Sequence, residues 1–203
     1  VCSSDLEGRF FLGLGASGKL VIEDFHGEKF RKPVTRMREY IDILRKAMKG
    51  ERLDHDGEFF QTQRFRIRFP AFRPDLPIYI ASLGAPSLRM TGELADGWLG
   101  TSFTPEAAEA HFQYLRRGAE KAGRTLDDIK LCIGTQVAFT DDPEPFIEQA
   151  KPGMAFTLGA MGSAKTNFYN DAFKRGGFED AAIEVQKLWV EGRRDEAAKR
   201  VPD

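Results

Sequence analysis

Three short stretches of glycine, serine and threonine hold residue types that could receive a flat ring or a phosphate group. Gly13-Leu14-Gly15-Ala16-Ser17-Gly18 offers bare backbone for close approach, and Ser17 can donate a hydrogen bond. The run has neither the GxGxxG nor the GxxxxGK[ST] order, so it is not a dinucleotide or P-loop fingerprint. On local sequence alone, a tight turn out of a strand is the favoured account. Ser82-Leu83-Gly84-Ala85-Pro86 stands between an apolar run and a helix start. Exposed N–H groups and the helix dipole suit an anion there, and an ordinary turn fits equally well. Gly100-Thr101-Ser102 supplies two hydroxyls that could complete a phosphate cradle, or could face solvent beside a helix cap at Thr104.

Groups for acid–base or metal chemistry are sparse. His26, His55 and His111 are far apart, with no cysteine or carboxylate at ligand spacing, so no metal site is expected. His111 falls mid-helix and is expected at the surface. His55 lies in a hairpin and is expected to be structural, and His26 is expected to brace a loop. No Ser/His/Asp or Cys/His arrangement stands out. Cys2 and Cys132 make no disulfide framework, which fits a reducing, cytoplasmic setting. Cys132 sits in an apolar run and is expected to be a small core residue.

The elements that must position these loops alternate between strand and helix. Arg9–Gly15 reads as a buried strand. Pro33 opens a helix with Val34, Met37, Ile41, Leu44 and Met48 on one face, and Gly50 closes it. Asp56-Gly57 marks a hairpin inside Leu53–Phe69. Pro77–Ser82 is the next buried strand, followed by a helix through Leu88 to Ala95. Trp98–Thr101 is a very short strand, Thr104-Pro105 starts a helix that stops at Gly123, and Ile129–Phe139 is a further strand. The remainder reads as helical, broken near Pro152-Gly153, Gly159–Gly162 and Gly176-Gly177. Repeated strand-then-helix order predicts parallel strands with crossover helices. A closed (β/α)8 barrel takes about 250 residues, so this order predicts part of one, with an open doubly wound sheet as the rival.

Composition excludes several classes. The 203 residues are 41% hydrophobic and 30% charged with a net charge of −1, which excludes a mainly disordered chain. No stretch approaches the roughly 18 apolar residues of a membrane span. Lys+Arg against Asp+Glu is 16 to 14 in residues 1–100 and 14 to 17 in the rest, without the basic excess of nucleic-acid binders. The one basic cluster, Arg64-Phe65-Arg66-Ile67-Arg68, alternates charged with apolar residues and predicts a strand with a solvated basic face; phosphate binding is the minority alternative. Val1–Leu6 is similar to an in-frame translation of a sequencing adapter. It is expected to be a non-native tail on a single partial-barrel domain over 7–203, with the reading frame beginning inside a gene.

Taken in order, several motifs resemble one family. Leu12–Gly18, Val21-Ile22-Glu23, Phe25-His26-Gly27, Phe30 and Lys32-Pro33 resemble the fourth-strand region of luciferase-like monooxygenases, in their branch of deazaflavin (coenzyme F420)-dependent oxidoreductases. Pro77–Gly84 and Ala95–Thr101 match the next two strands. Gly162, Asn167-Phe168-Tyr169, Ala197-Ala198 and Val201-Pro202-Asp203 fit the late helical region. The resemblance covers nearly all of residues 9–203.

The resemblance implies an α/β fold, a partial (β/α)8 TIM barrel lacking the first three strands and the last. The cofactor would lie across the C-terminal ends of the strands. Gly15, Ala16 and Ser17 would lie near the deazaflavin ring or its side chain. Ala81, Ser82, Leu83, Gly84, Ala85 and Pro86 would cradle its phosphate through backbone N–H groups, and Gly100 and Thr101 would complete the site with a hydroxyl. The implied activity is hydride transfer between F420 and a small organic substrate in a homodimeric, cytoplasmic enzyme, with no nucleic acid or membrane partner. The alternatives are an FMN-dependent monooxygenase of the same family and a non-catalytic flavin-binding relative. Phe25 stands where the family usually carries Trp. No Lys follows Thr101 and no acid lies in Ser17–Lys19, which counts against a sugar-phosphate substrate. No catalytic residue is assigned.

Overall fold

Short apolar runs that end in glycine or alanine become the strands, and the runs with 3,4 spacing become the helices over them. The structure, a computed structural model, describes residues 6–68, 71–163 and 166–203. Val1–Asp5, most of the expected foreign tail, and Phe69, the end of the expected hairpin segment, lie outside these. The order is β1 (Leu12–Gly15), a π-helical turn (Val21–Phe25), α1 (Pro33–Met48), β2 (Leu53–Asp56), β3 (Gln61–Phe65), β4 (Ile78–Ala81), α2 (Ala85–Leu94), β5 (Gly97–Gly100), α3 (Glu109–Lys121), β6 (Lys130–Ile133), α4 (Glu144–Ala160), α5 (Phe168–Arg175), α6 (Glu179–Val190) and α7 (Arg194–Lys199). Four strands make an open sheet in the order β1-β4-β5-β6, and β2 and β3 form a separate hairpin. β1 pairs with β4, and β4 with β5, in parallel. This is the expected α/β arrangement, left open rather than closed as a barrel. Among the described residues no helix is long and apolar enough to cross a membrane.

The chain packs as two compact units. The first holds the residues up to Ala16, Phe30–Leu99 and Tyr114–Cys132. Its core is the apolar stripe of α1 and α2 laid on the sheet: Ile41, Ile78, Ile80, Met90 and Ala95 are buried, with Leu14, Val34, Met37 and Leu44 against them. Each such side chain contributes about 1.5–3 kcal/mol of burial. Pro33 takes the first turn of α1, where its missing N–H costs nothing, and Gly50 ends the segment at φ +71°. Helices α2 and α3 touch backbone to backbone. A Cβ on Gly92 would lie 2.0 Å from the Leu115 carbonyl oxygen, and one on Gly118 would lie 2.0 Å from that of Arg89.

Asp96 ties this unit together. Its carboxylate accepts the Ile78 N–H at 2.8 Å and the Arg45 guanidinium at 2.7 Å. Its backbone N–H donates to the Ile78 carbonyl, and its carbonyl accepts from Lys130 N–H, both at 2.9 Å. Arg124 donates to the neighbouring Ala95 carbonyl at 2.9 Å. One residue thus joins the last turn of α1 to the starts of β4, β5 and β6. Glu93 adds a second junction, bonded to Arg38 of α1 and to Lys121 of α3. Chiefly through the hydrogen bond from Arg38, its carboxyl is held at about 2.

The second unit holds Ser17–Lys29, Gly100–Gln113 and Ile133–Asp203. Helices α4, α6 and α7 bury Ala155, Leu158, Ala182, Val185, Leu188, Ala197 and Val201 together. Asn167 caps α5 by accepting the Tyr169 and Asn170 N–H groups, and donates to the Leu158 carbonyl at 2.9 Å. Asn170 donates to the Leu158 and Ala182 carbonyls at 3.0 and 2.7 Å. These amides satisfy carbonyls that the core would otherwise strand.

Four expectations are corrected. His111 is fully buried, not at the surface, because it shares one stripe of α3 with Leu115 and Ala119, also fully buried, at i, i+4 and i+8. Its ring faces Phe103 at 5.1 Å, and burial, reinforced by the charge of Arg175, pushes its pKa down to about 4. Cys132 is exposed, because β6 is a sheet edge whose residues are all accessible. The expected Ile129–Phe139 strand pairs only over Lys130–Ile133. Helix α4 runs unbroken through Pro152, because Ala155 and Leu158 beyond it are held in the core.

Removing the Asp96 carboxylate as Asp96→Ala strands the Ile78 N–H and the Arg45 charge. It should cost about 2–3 kcal/mol, read as a lower urea midpoint, and Asp96→Asn, which keeps an acceptor, should cost less. Acid should unfold the chain over two windows. The unfolded state binds a proton at His111 that the folded state refuses, so stability falls as pH drops from about 6.5 to about 4. Glu93, depressed from 4.5 to about 2 in the fold, contributes stability that is lost as pH falls from about 4.5 to about 2. Urea midpoints across pH should lose the upper window in His111→Phe and the lower in Glu93→Gln.

Candidate functional site

In the first unit, the register of three parallel strands decides which side chains share a face. Gly13 pairs with Tyr79 and Gly15 with Ala81, while Tyr79 pairs with Gly97 and Ala81 with Leu99. These six therefore point to one side of the sheet. The other side carries Leu14, Ile80 and Trp98, of which Ile80 and Trp98 are wholly covered. At the C-terminal end of the first side, Gly15 and Ala81 are small, while Leu99 lies against Gly13, with its Cδ1 3.2 Å from where a Cβ there would sit. Gly15 and Ala81 are exposed, and a Cβ on Gly15 would sit 3.4 Å from that of Ala81, so the two make a flat accessible shelf. Toward the N-terminal end, Phe11 stacks on Tyr79 with centroids 4.2 Å apart. The Tyr79 ring lies where Gly97 has no side chain; a Cβ there would be 2.7 Å from it.

The loop after β4 leads from this shelf into α2 and is braced from inside. Trp98 Nε1–H donates to the Ser82 carbonyl at 2.9 Å. The Ser82 hydroxyl meets that of Thr91 at 2.8 Å, and Thr91 donates to the Ser87 carbonyl at 2.9 Å. Ser82 and Leu83 are buried, so their side chains hold the loop rather than face a ligand. Gly84 is the extended N-cap of α2 at φ −72° and ψ 144°, without a side-chain cap. The first-turn N–H groups of Ala85 and Ser87 have no intrahelical acceptor. Pro86 has no N–H, so its expected part as a donor is corrected: it shapes the first turn. Sequence reasoning missed Ser87 as the next donor, and the missing N–H at Pro86 was the signal for it. It also missed Trp98 and Thr91 as the brace, which is made of residues distant in sequence.

The structure thus brings Gly15 together with Ala81, and lines up Ser82 to Pro86 behind them; Ala16 follows Gly15 directly. Ser17 and Thr101 belong to the second unit, where Gly100 is also placed. There Ser17 has φ +58° and Ser102 φ +61°, left-handed positions uncommon for a residue with a side chain. Thr101 is exposed, with its hydroxyl 3.5 Å from that of Ser102. His26 lies edge-on to Phe25, which is 81% exposed, so the ring pair is free to meet a ligand or another surface. His55 is held between Glu39 and Asp42 of α1 at 3.7 and 3.5 Å. Glu39 also accepts the N–H groups of Glu58, Phe59 and Phe60, which fixes the hairpin turn on α1.

Comparison with known proteins bears on the family and the fold. The family model for luciferase-like monooxygenases matches residues 6–203. A Mycobacterium tuberculosis protein, provisionally named as a coenzyme F420-dependent oxidoreductase, is 34% identical over 97% of this chain and 60% of its own length. An F420-dependent glucose-6-phosphate dehydrogenase of Mycolicibacterium gilvum is 30% identical over 96% of the chain and 60% of its length. The chain therefore spans about 60% of the length of these relatives. Among solved structures, the coenzyme F420-dependent tetrahydromethanopterin reductase of Methanopyrus kandleri superposes with a TM-score of 0.76 over 97% of this chain and 59% of its own, at 23% identity. With motif order, strand register and family model all in agreement, the chain belongs to the luciferase-like monooxygenase family.

Proposed function

We propose that this chain carries the cofactor-binding part of an oxidoreductase that moves a hydride between coenzyme F420 and a small organic substrate. The observation that carries the reading is the pairing of a bare shelf with first-turn helix donors. Gly15 and Ala81 leave room for a flat ring, and the N–H groups of Ala85 and Ser87, which have no acceptor within the helix, lie at the start of the helix that follows β4. The first-turn N–H groups and the helix dipole suit the phosphate of the cofactor side chain. Ser82 and Leu83 hold that loop in place. The residues present fit the group, which supplies the hydride chemistry when bound; the chain supplies position and holds the donors in place. The F420-dependent names of the first relatives favour this cofactor over FMN. Thr101-Ser102-Phe103-Thr104-Pro105 holds no Lys, which counts against a sugar phosphate as the substrate.

Trp98 is bonded to the loop itself and reports on it. In a Trp189→Phe background, titration with F420 should change Trp98 fluorescence saturably, and FMN should do so only weakly. Ala85→Pro removes one N–H at a position where the helix tolerates proline and the preceding Gly84 is already extended. It should weaken F420 about tenfold, the loss expected for one hydrogen bond to a charged group. Tight FMN with weak F420 would move the reading to an FMN monooxygenase. Binding of neither would overturn it.

A further inference from the structure

The end of the sheet opposite the shelf carries a second, chemically different concavity. Arg45, in the last turn of α1, bonds Asp96 ahead of β5, and Asp96 bonds the first residue of β4. The C-terminal end of α1 therefore lies at the N-terminal ends of these strands. Just beyond it, a concavity of about 870 Å³ opens between that helix end and the chain leaving β3. This is within the range of small-molecule sites. Its cations are Lys49, Arg64, Arg66 and Arg68, and no carboxylate lines it among the described residues. Met48, Phe65 and Pro74 supply apolar wall, and Phe65 is 51% exposed.

Local structure fixes the cations around this space. β3 ends at Phe65 and not at the expected Arg68, because its partner β2 begins at Leu53 opposite Phe65, and the ladder slips register between Leu53 and His55. Arg64 is left at φ +55°, with its N–H on the Asp54 carboxylate at 2.8 Å. Arg66 Nε donates to the Gly50 carbonyl at 2.8 Å, capping the end of α1. One cation is enough for that cap. Among the described residues, Lys49, Arg64 and Arg68 form no ion pair, although the nearby Asp54 does, with Arg52 at 3.0 Å. Clustered cations repel one another, and an arginine at positive φ adds backbone strain. An anion in the concavity would relieve the repulsion.

We infer that this concavity is a binding site for a small phosphorylated molecule with a planar ring, of the nucleoside-diphosphate type. Guanidinium groups pair with phosphate oxygens two at a time, and Phe65 with the apolar wall takes the ring. The site lies at the other end of the sheet from the proposed cofactor shelf and does not depend on it.

The test is displacement of a fluorescent ADP analogue from the purified chain at physiological salt, with ADP, pyrophosphate and adenosine as competitors. ADP should compete best, pyrophosphate less well and adenosine hardly at all. Arg64→Gly removes a cation where glycine suits the backbone better, and Arg68→Gln removes another from the surface. The double variant should weaken ADP about tenfold or more without lowering the urea midpoint and with the F420 titration unchanged. Absence of binding, equal affinity in the double variant, or stronger competition by a single-stranded oligonucleotide than by ADP would each overturn the assignment.

Discussion

The Asp96 carboxylate is the constraint on which the first unit depends. Parallel strands do not share turns, so each must be aligned by something outside the strand pair. Asp96 does this with one short side chain: it holds the Ile78 N–H at the entry to β4 and pulls the end of α1 onto the same point through Arg45. Its own backbone starts β5, and its carbonyl receives β6 through Lys130. The register that puts Gly15 beside Ala81 is set by the β1–β4 ladder, which begins with the Leu12 N–H on the Pro77 carbonyl, next to that junction. A slip of one residue would exchange the core face for the open face.

The two faces of the sheet divide the labour. One is filled by Leu14, Ile80 and Trp98 under the helices. The other carries Tyr79 over Gly97 and Leu99 beside Gly13, and is kept low only at Gly15 and Ala81. Burial of the first face supplies stability, and the small residues at Gly15 and Ala81 supply access. Trp98 links them. Its ring is in the core, but its N–H holds the carbonyl of the loop after β4, so the rigidity of the core reaches the start of α2. The contact of α2 with α3 through Gly92 and Gly118 fixes the angle of that helix from behind.

The two ends of the sheet differ in electrostatics for reasons of chain direction. Helices α1 and α2 each follow a strand of this sheet, so the positive N-terminus faces the C-terminal ends of the strands and the negative C-terminus the opposite end. At the first end, the N-terminus of α2 offers positive potential through its backbone dipoles. At the second, α1 ends in carbonyls that want cations, which accounts for Arg66 on Gly50. The surplus of Lys49, Arg64 and Arg68 is what that account leaves over.

Local chemistry made much of this legible. Pro33 and Gly50 bound α1 in sequence and in structure, Asp56-Gly57 sits at the hairpin turn, and the apolar runs at Leu12 and Ile78 became strands. These signals act within a few residues, through φ restriction, side-chain period and missing N–H groups. The sequence by itself also marked Gly15 and Ser82–Pro86 as open backbone at strand ends. Only the tertiary structure decided that Gly15 and Ala81 are neighbours, because strand pairing joins residues 66 positions apart. It also decided that His111 is buried, since its stripe on α3 gains meaning only when a core covers it, and that Cys132 is exposed, since an apolar strand at a sheet edge has nothing over it. Asp96 looked like half of a turn. Its role as a junction depends on Arg45 and Ile78, brought to it by packing that no local pattern encodes.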